Sequence, residues 1–250
     1  MLTHSVSRLF STTPFGGAVL FFVLLICGLT PASGLTSDTD ILGIDVSHHQ
    51  GAVDWNSVHG HGVEFVYLKA TEGRGYVDPW YQSHREALEA LPLQVGAYHY
   101  FHADHDPEKQ ARNFIRVVKS GPALDLPPAV DVEEAFGRSA EELVDKLLNW
   151  ITLVETELGA TPIIYTVTGF ADRGDQAQDT TRDKARGLSR YPLWYAKYDT
   201  DWLKLPPVLG HFQWHIWQFG QGTVPGIDTI VDLNTLNCEA LDHEICTRER

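Results

Sequence analysis

The sequence predicts a single α/β domain whose parallel sheet closes into a barrel. Three observations predict it. Short apolar, β-rich runs alternate with amphipathic helical patterns along most of the chain, the signature of strand–helix–strand units. Hydrophobic residues make up 43% and aromatics 11% of 250 residues, enough for one large core, and no repeat, low-complexity tract or Ser/Gly-rich linker divides the chain. Acidic residues recur at the C-terminal ends of the predicted strands, where barrels of this class carry their chemistry.

The predicted strands are Ile41–Val46, Glu64–Ala70, Leu93–Phe101, Pro128–Val132, Thr161–Thr166, Leu193–Lys197 and His215–Phe219. A helix is expected over Trp80–Leu91, with Trp80, Tyr81, Ala87, Leu88 and Leu91 as its apolar residues. Pro107 suits the first position of a second helix, whose Ala111, Phe114, Ile115 and Val118 share one face. Ser139 and Glu142 form a capping box for a third, running through Leu143, Leu147, Trp150, Ile151, Val154 and Leu158 to a Gly159 stop.

Ahead of the first strand, residues 1–34 hold no Asp or Glu and a single Arg, Arg8. The apolar run Gly17–Leu29 and the small residues Pro31–Gly34 complete the parts of a secretory signal peptide. The run is shorter than the roughly 20 apolar residues of a membrane span, and an uncleaved N-terminal anchor is the alternative. Export to the periplasm, cell envelope or medium puts Cys238 and Cys246 where they can pair and close a short loop in the tail, residues 238–250. A formal net charge of −14 argues against nucleic acid and against docking on anionic lipid by charge.

Asp131 and Glu133 are the sharpest pair in the chain. On a strand, spacing i, i+2 sets both carboxylates on one face, roughly 7 Å apart at the backbone. Neighbouring carboxyls push their pKa values apart, which provides the acid and the anion that glycoside hydrolysis needs. Asp45 ends the first strand, Glu72 the second, His99 and His102 the third, and Asp232 stands near the last. Lys197 and Gln218 close the sixth and seventh strands. Tyr98, Tyr165 and Trp217 lie beside these acids and offer flat apolar faces to sugar rings, whereas Tyr67 and Trp194, in mid-strand, read as core. Two rival readings share these residues. Asp45, His48, His49, His99 and His102 are a possible metal set for a polysaccharide deacetylase, although their spacing fits no ordinary zinc pattern. A non-catalytic polysaccharide-binding module is the other.

One ordered set of motifs spans about residues 41–237: GIDVSHHQG, VDW, FVYLKATEG, GAYHYF, AVDVEE, PIIYT, LWYAKY and WQFGQGTVPGIDTIVDLN. It resembles glycoside hydrolase family 25, lysozymes of the N,O-diacetylmuramidase type. The resemblance implies a flattened, irregular barrel of five β/α units followed by three β-strands, occupying residues 35–237. It implies that Glu133 is the general acid and that Asp131 is either nucleophile or orienter of the substrate's N-acetyl group. Asp45 and Asp232 become the further acids of the groove. Tyr98, Tyr165 and Trp217 shape the sugar subsites, with Glu72, His99, Lys197 and Gln218 as polar contacts. The implied substrate is peptidoglycan, cut at the β-1,4 bond between N-acetylmuramic acid and N-acetylglucosamine with neither metal nor organic cofactor, and a monomer is expected.

Overall fold

A computed structural model describes residues 41–167, 187–198, 213–240 and 243–247. The expected leader, residues 1–34, lies outside them. The strands are β1 (Ile41–Val46), β2 (Phe65–Glu72), β3 (Tyr76–Val77), β4 (Gln94–Tyr100), β5 (Ala129–Asp131), β6 (Ile163–Val167), β7 (Leu193–Ala196), β8 (Trp214–Gly222) and β9 (Val231–Leu236). The helices are α1 (Trp55–Gly60), α2 (Tyr81–Leu88), α3 (Pro107–Val118) and α4 (Ala140–Leu158).

The sheet runs β1-β9-β8-β7-β6-β5-β4-β2-β3, and a β1–β2 pairing closes eight of these strands into a barrel. Pairings are parallel from β1 through β2, β4, β5, β6 and β7 to β8. Strand β9 is antiparallel to both of its neighbours, and β3 is a short antiparallel flap on β2. The architecture is therefore the irregular α/β barrel expected from the sequence, with β9 as the antiparallel closing strand.

Local chemistry fixes the helices. Asp54 caps α1 by accepting from the Asn56 and Ser57 amides, a short helix that the strand–helix pattern missed. Asp106 caps α3 ahead of Pro107, and the Ser139–Glu142 capping box opens α4, which ends on Gly159 at φ 69°. Helix α2 departs from its predicted face. Its buried residues are Tyr81, His84, Arg85 and Leu88, the i, i+3, i+4, i+7 stripe, while Ala87 is exposed. Two polar side chains escaped an apolar count because each has partners in the core. His84 stacks on Trp80 and meets Trp55 edge-on, and Arg85 donates to the carbonyls of Pro122 and Ala123.

Large rings fill the barrel. Phe65 and Tyr67 are fully buried inside it, and a Cβ on Gly43 or Gly96 would overlap their rings. Above them Trp194 packs against Tyr67 and Tyr165, with ring centroids 4.7 and 5.0 Å apart. Ile41, Ile163, Ile216, Leu236 and Ile245 complete this inner cluster, and the Cys238–Cys246 disulfide packs against it. A second apolar layer lies between the sheet and the helices, built on Trp150, Phe114, Val66 and Leu68. Burying a side chain of this size is worth about 1.5–3 kcal/mol, so the barrel wall is rigid where its rim carries polar groups.

Candidate active site

A groove of about 510 Å³ opens at the C-terminal ends of the parallel strands, lined in part by Asp45, Asp131, Glu133 and Asp232. Strand register brings them together. Asp45 on β1 lies opposite Asp232 on β9. Asp131 ends β5, with Tyr100 as its register partner on β4 and Tyr165 on β6. Glu133 stands just past the strand end rather than on it, although Val132 continues the ladder by donating to the Tyr165 carbonyl.

Asp131 is buried and shares a hydrogen bond with the Glu133 carboxyl. Burial holds the Asp131 carboxyl well above the usual range, and the neighbouring Glu133 charge pushes it further. Its Oδ1 is buried with no donor facing it, so the ionised form is poorly solvated. Glu133 is also raised, chiefly by burial, against the lowering effect of its bond to Asp131. Both carboxyls feel the Lys69 ammonium, which opposes the rise. The two acids thus act as one unit that retains a proton into the range where free carboxylates have lost theirs.

Asp45 is set apart by its donors. Gln218 Nε2 and Asn234 Nδ2 both donate to its Oδ2, at 2.9 and 2.8 Å. Even so its pKa rises to about 7, because desolvation and the Asp232 charge outweigh those two bonds. Asn234 is itself fixed by the Trp194 indole N–H, which donates to its Oδ1 at 2.8 Å. Asp232 accepts from Tyr198 OH at 2.9 Å and from Gln221 Nε2 at 2.8 Å. Tyr165 donates to Gln218 Oε1, and Tyr198 OH stands 2.8 Å from the same oxygen, its one proton shared between Gln218 and Asp232, so one glutamine links Asp45, the aromatic wall and the Tyr198 side of the groove.

The structure places some of the expected contact residues in the groove and others outside it. Tyr98, Tyr165, Lys197 and Gln218 line the groove with the four acids. Trp217 does not: next to Gln218 on β8 it faces the other way, half-buried against Phe219, with its indole N–H on the Lys197 carbonyl. His99 is fully buried outside the groove. It bonds Thr71 and Gln110, stacks on Trp150, and is pushed down to about 3 by desolvation, so it is a neutral core histidine. Glu72 stands at the edge of a neighbouring recess, bonded to Lys69 at 2.7 Å and to His102 at 3.0 Å.

That Lys69–Glu72 pair depends on an irregularity. Residues three apart on a regular strand face opposite ways. Between Lys69 and Thr71 the β2–β4 register slips by one residue, so Lys69 lies opposite Tyr98 and Glu72 opposite Tyr100. Both therefore reach the same face as those tyrosines.

Buried, coupled carboxyls over an aromatic wall are the equipment of glycoside hydrolysis. The model for glycosyl hydrolases family 25 matches residues 44–227. This chain belongs to glycosyl hydrolase family 25.

Its relatives agree. The chain is 34% identical to the uncharacterized protein YegX of Escherichia coli K12 over 203 residues, 79% of this chain and 70% of that protein. It is 33% identical over 192 residues to an autolytic lysozyme of Clostridium acetobutylicum, covering 77% of this chain and 54% of the relative. Among solved structures it matches a bacterial lysozyme of Streptomyces coelicolor with a TM-score of 0.69 at 26% identity, covering 80% of this chain and 94% of that one. A family 25 lysozyme of Aspergillus fumigatus matches with a TM-score of 0.69 at 25% identity, over 84% and 98%.

For this family 25 hydrolase the rival metal set is dispersed. His48 bonds the buried Asp78, His49 is exposed, His99 lies in the core, and Asp45 is occupied by two amides. His102, Asp104 and His105 do place ligand atoms within 4.8 Å of one another. Yet the two imidazoles are stacked at 11°, so their in-plane lone pairs run side by side and do not converge on one ion. Sequence reading also missed Tyr198, Gln221 and Asn234. Asn234 carried a signal, since Asp232 and Asn234 repeat the i, i+2 spacing of Asp131 and Glu133. Tyr198 precedes a stretch without strand pattern, and Trp194, read as core, proves to be both core and groove wall. Replacing Tyr198 with phenylalanine removes the one hydroxyl proton that Asp232 and Gln218 share. Turnover is expected to fall about five- to tenfold with the fold unchanged, measured as initial rate beside a thermal melt; a rate equal to wild type would show that Asp232 is positioned by Gln221 alone.

Proposed function

We propose that this protein is a secreted lysozyme that hydrolyses the β-1,4 bond between N-acetylmuramic acid and N-acetylglucosamine in peptidoglycan. Residues 1–34 serve as the export signal, 35–237 as the catalytic barrel and 238–250 as a disulfide-closed tail. The observation that carries the reading is the hydrogen-bonded Asp131–Glu133 pair in the groove. Relatives named autolytic lysozyme and N,O-diacetylmuramidase support the choice of substrate.

In this reading Glu133, the less buried member of the pair, protonates the glycosidic oxygen. Asp131 is the second carboxylate, acting either as nucleophile on the anomeric carbon or by orienting the acetamido group whose oxygen attacks it; water then completes the hydrolysis. Asp232, and Asp45 once ionised, face the positive charge that develops on the ring. Tyr98, Tyr165 and Trp194 present apolar faces to the sugars, and Lys197 and Gln218 offer polar contacts to their hydroxyls.

Digestion of purified peptidoglycan in the presence of EDTA tests the proposal. New reducing ends are expected. Activity that disappears with chelator would point to the metal-dependent deacetylase, and binding without cleavage to a non-catalytic module. Salt dependence offers a second check. With a formal net charge of −14 the enzyme gains no long-range attraction to an anionic wall. Activity is expected to stay within about twofold from low to physiological salt, and a steep fall would mean that attraction by charge brings it to the wall.

A further inference from the structure

We propose that His102 is a positioning residue for the hydrolytic reaction, tying the segment that carries Glu133 to the Lys69–Glu72 ion pair. The inference rests on the muramidase reading above. His102 does not line the acid groove; it lines the neighbouring recess of about 530 Å³ together with Glu72, Arg74 and His105. It touches no substrate in the groove, and what it does, it does through other residues.

Its main chain is held from both sides by one glutamine. Gln110 Oε1 accepts from the His102 amide at 2.9 Å, and Gln110 Nε2 donates to the His102 carbonyl at 2.9 Å. The imidazole passes this rigidity on in two directions. Toward β2, Nε2 meets Glu72 Oε1 at 3.0 Å, and Glu72 Oε2 holds Lys69 Nζ at 2.7 Å. Lys69 then lies over the Tyr100 ring at 5.0 Å, and its charge reaches both Asp131 and Glu133. Toward the segment after β5, the ring is sandwiched between Phe136 (centroids 4.4 Å, 18°) and His105 (4.7 Å, 11°).

Phe136 stands three residues beyond Glu133. Among the described residues it is the one non-glycine with positive φ, at 49°. Side chains rarely adopt that conformation unless their surroundings impose it. Here the imposed contact is the stack on His102, which holds the chain turn that follows Glu133. The charged or titratable neighbours of the imidazole include Glu72 from β2, with Lys69 behind it, Tyr100 from β4, and Asp104 and His105 from its own loop. One aromatic ring thus fixes the carrier of the general acid and anchors the cation that acts on it.

The test compares His102→Ala, His102→Gln and Phe136→Leu on a soluble tetrasaccharide of alternating N-acetylglucosamine and N-acetylmuramic acid. kcat, KM and thermal unfolding are measured for each. His102→Ala is expected to lower kcat about tenfold with KM within about twofold, since a small misplacement of the acid costs rate and not binding. His102→Gln, whose amide N–H reaches Glu72 but which has no ring to stack on Phe136, is expected to recover about twofold of that loss. Phe136→Leu, which keeps the Glu72 bond and removes the stack, is expected to lower kcat about fivefold. A folded His102→Ala with normal kcat overturns the inference, as does a loss confined to KM, or a glutamine variant no better than alanine. Should His102→Ala fail to fold, Phe136→Leu decides, and a normal kcat there overturns it. Wild-type protein inactive on this substrate would remove the muramidase reading itself, whereas active wild type with an unimpaired His102→Ala removes this inference alone.

Discussion

Replacing Glu133 with glutamine is expected to slow cleavage of peptidoglycan about a thousandfold, the usual contribution of a positioned general acid. The amide has the size of the carboxyl and keeps a hydrogen-bonding group against Asp131, but it has no proton to give to the leaving oxygen. The fold should survive, because Glu133 lies past the end of β5 and takes no part in the ladder. Binding should survive too, since the aromatic wall and the Asp45–Gln218–Asn234 network are untouched. Release of reducing ends, pull-down on insoluble peptidoglycan and a thermal melt read the three quantities separately. Turnover within a few-fold of wild type would move the general acid to another residue.

The second large effect concerns stability. Asp45 has its pKa raised from the ordinary 3.8 to about 7, by burial first and the Asp232 charge second. In the unfolded chain the carboxyl ionises near its ordinary value, while the native protein keeps the proton until about pH 7. Across that window the native state binds more protons than the unfolded one, so stability falls as pH rises. Above about pH 7 the penalty is complete and constant; below pH 4 it vanishes. Its size is about 2–4 kcal/mol once partial contact with solvent is allowed for. Asp45→Asn removes the penalty and still accepts from Gln218 and Asn234. The variant should therefore melt about 5–10 °C higher than wild type above pH 7, with the difference closing toward pH 4. Equal melting temperatures at alkaline pH would mean that Asp45 is ionised and well solvated in the native protein.

Much of this was legible in the residues. Ile41–Val46 and Pro107–Val118 have the periodicities of their elements, and the Ser139–Glu142 box marks its helix by chemistry that needs no tertiary context. The four groove acids were legible because a carboxylate at the end of an apolar strand has few bland uses. Residues whose place depends on another strand were not. His99 looks like a groove ligand until Thr71, Gln110 and Trp150 close around it. Trp217 and Gln218 are adjacent in sequence, and nothing short of the β8 register tells which one faces inward. Glu72 reaches Lys69 through a slipped register that strand alternation does not foretell. The buried Arg85 and His84 misled the reading of α2 because burial was expected of apolar residues alone.

The network around Asp45 bears on how the enzyme comes into being. Its two amide donors, Gln218 and Asn234, lie 173 and 189 residues further along the chain. Contacts of such separation close large loops and form late. Strand β1 is among the first parts of the barrel to be synthesised and β9 among the last, yet the groove requires them side by side. A chain still emerging during synthesis has the acid pair Asp131–Glu133 long before it has the wall that completes their groove. A chain ending before β9 lacks Asp232 and Asn234, and with them the side of the groove that faces Asp45.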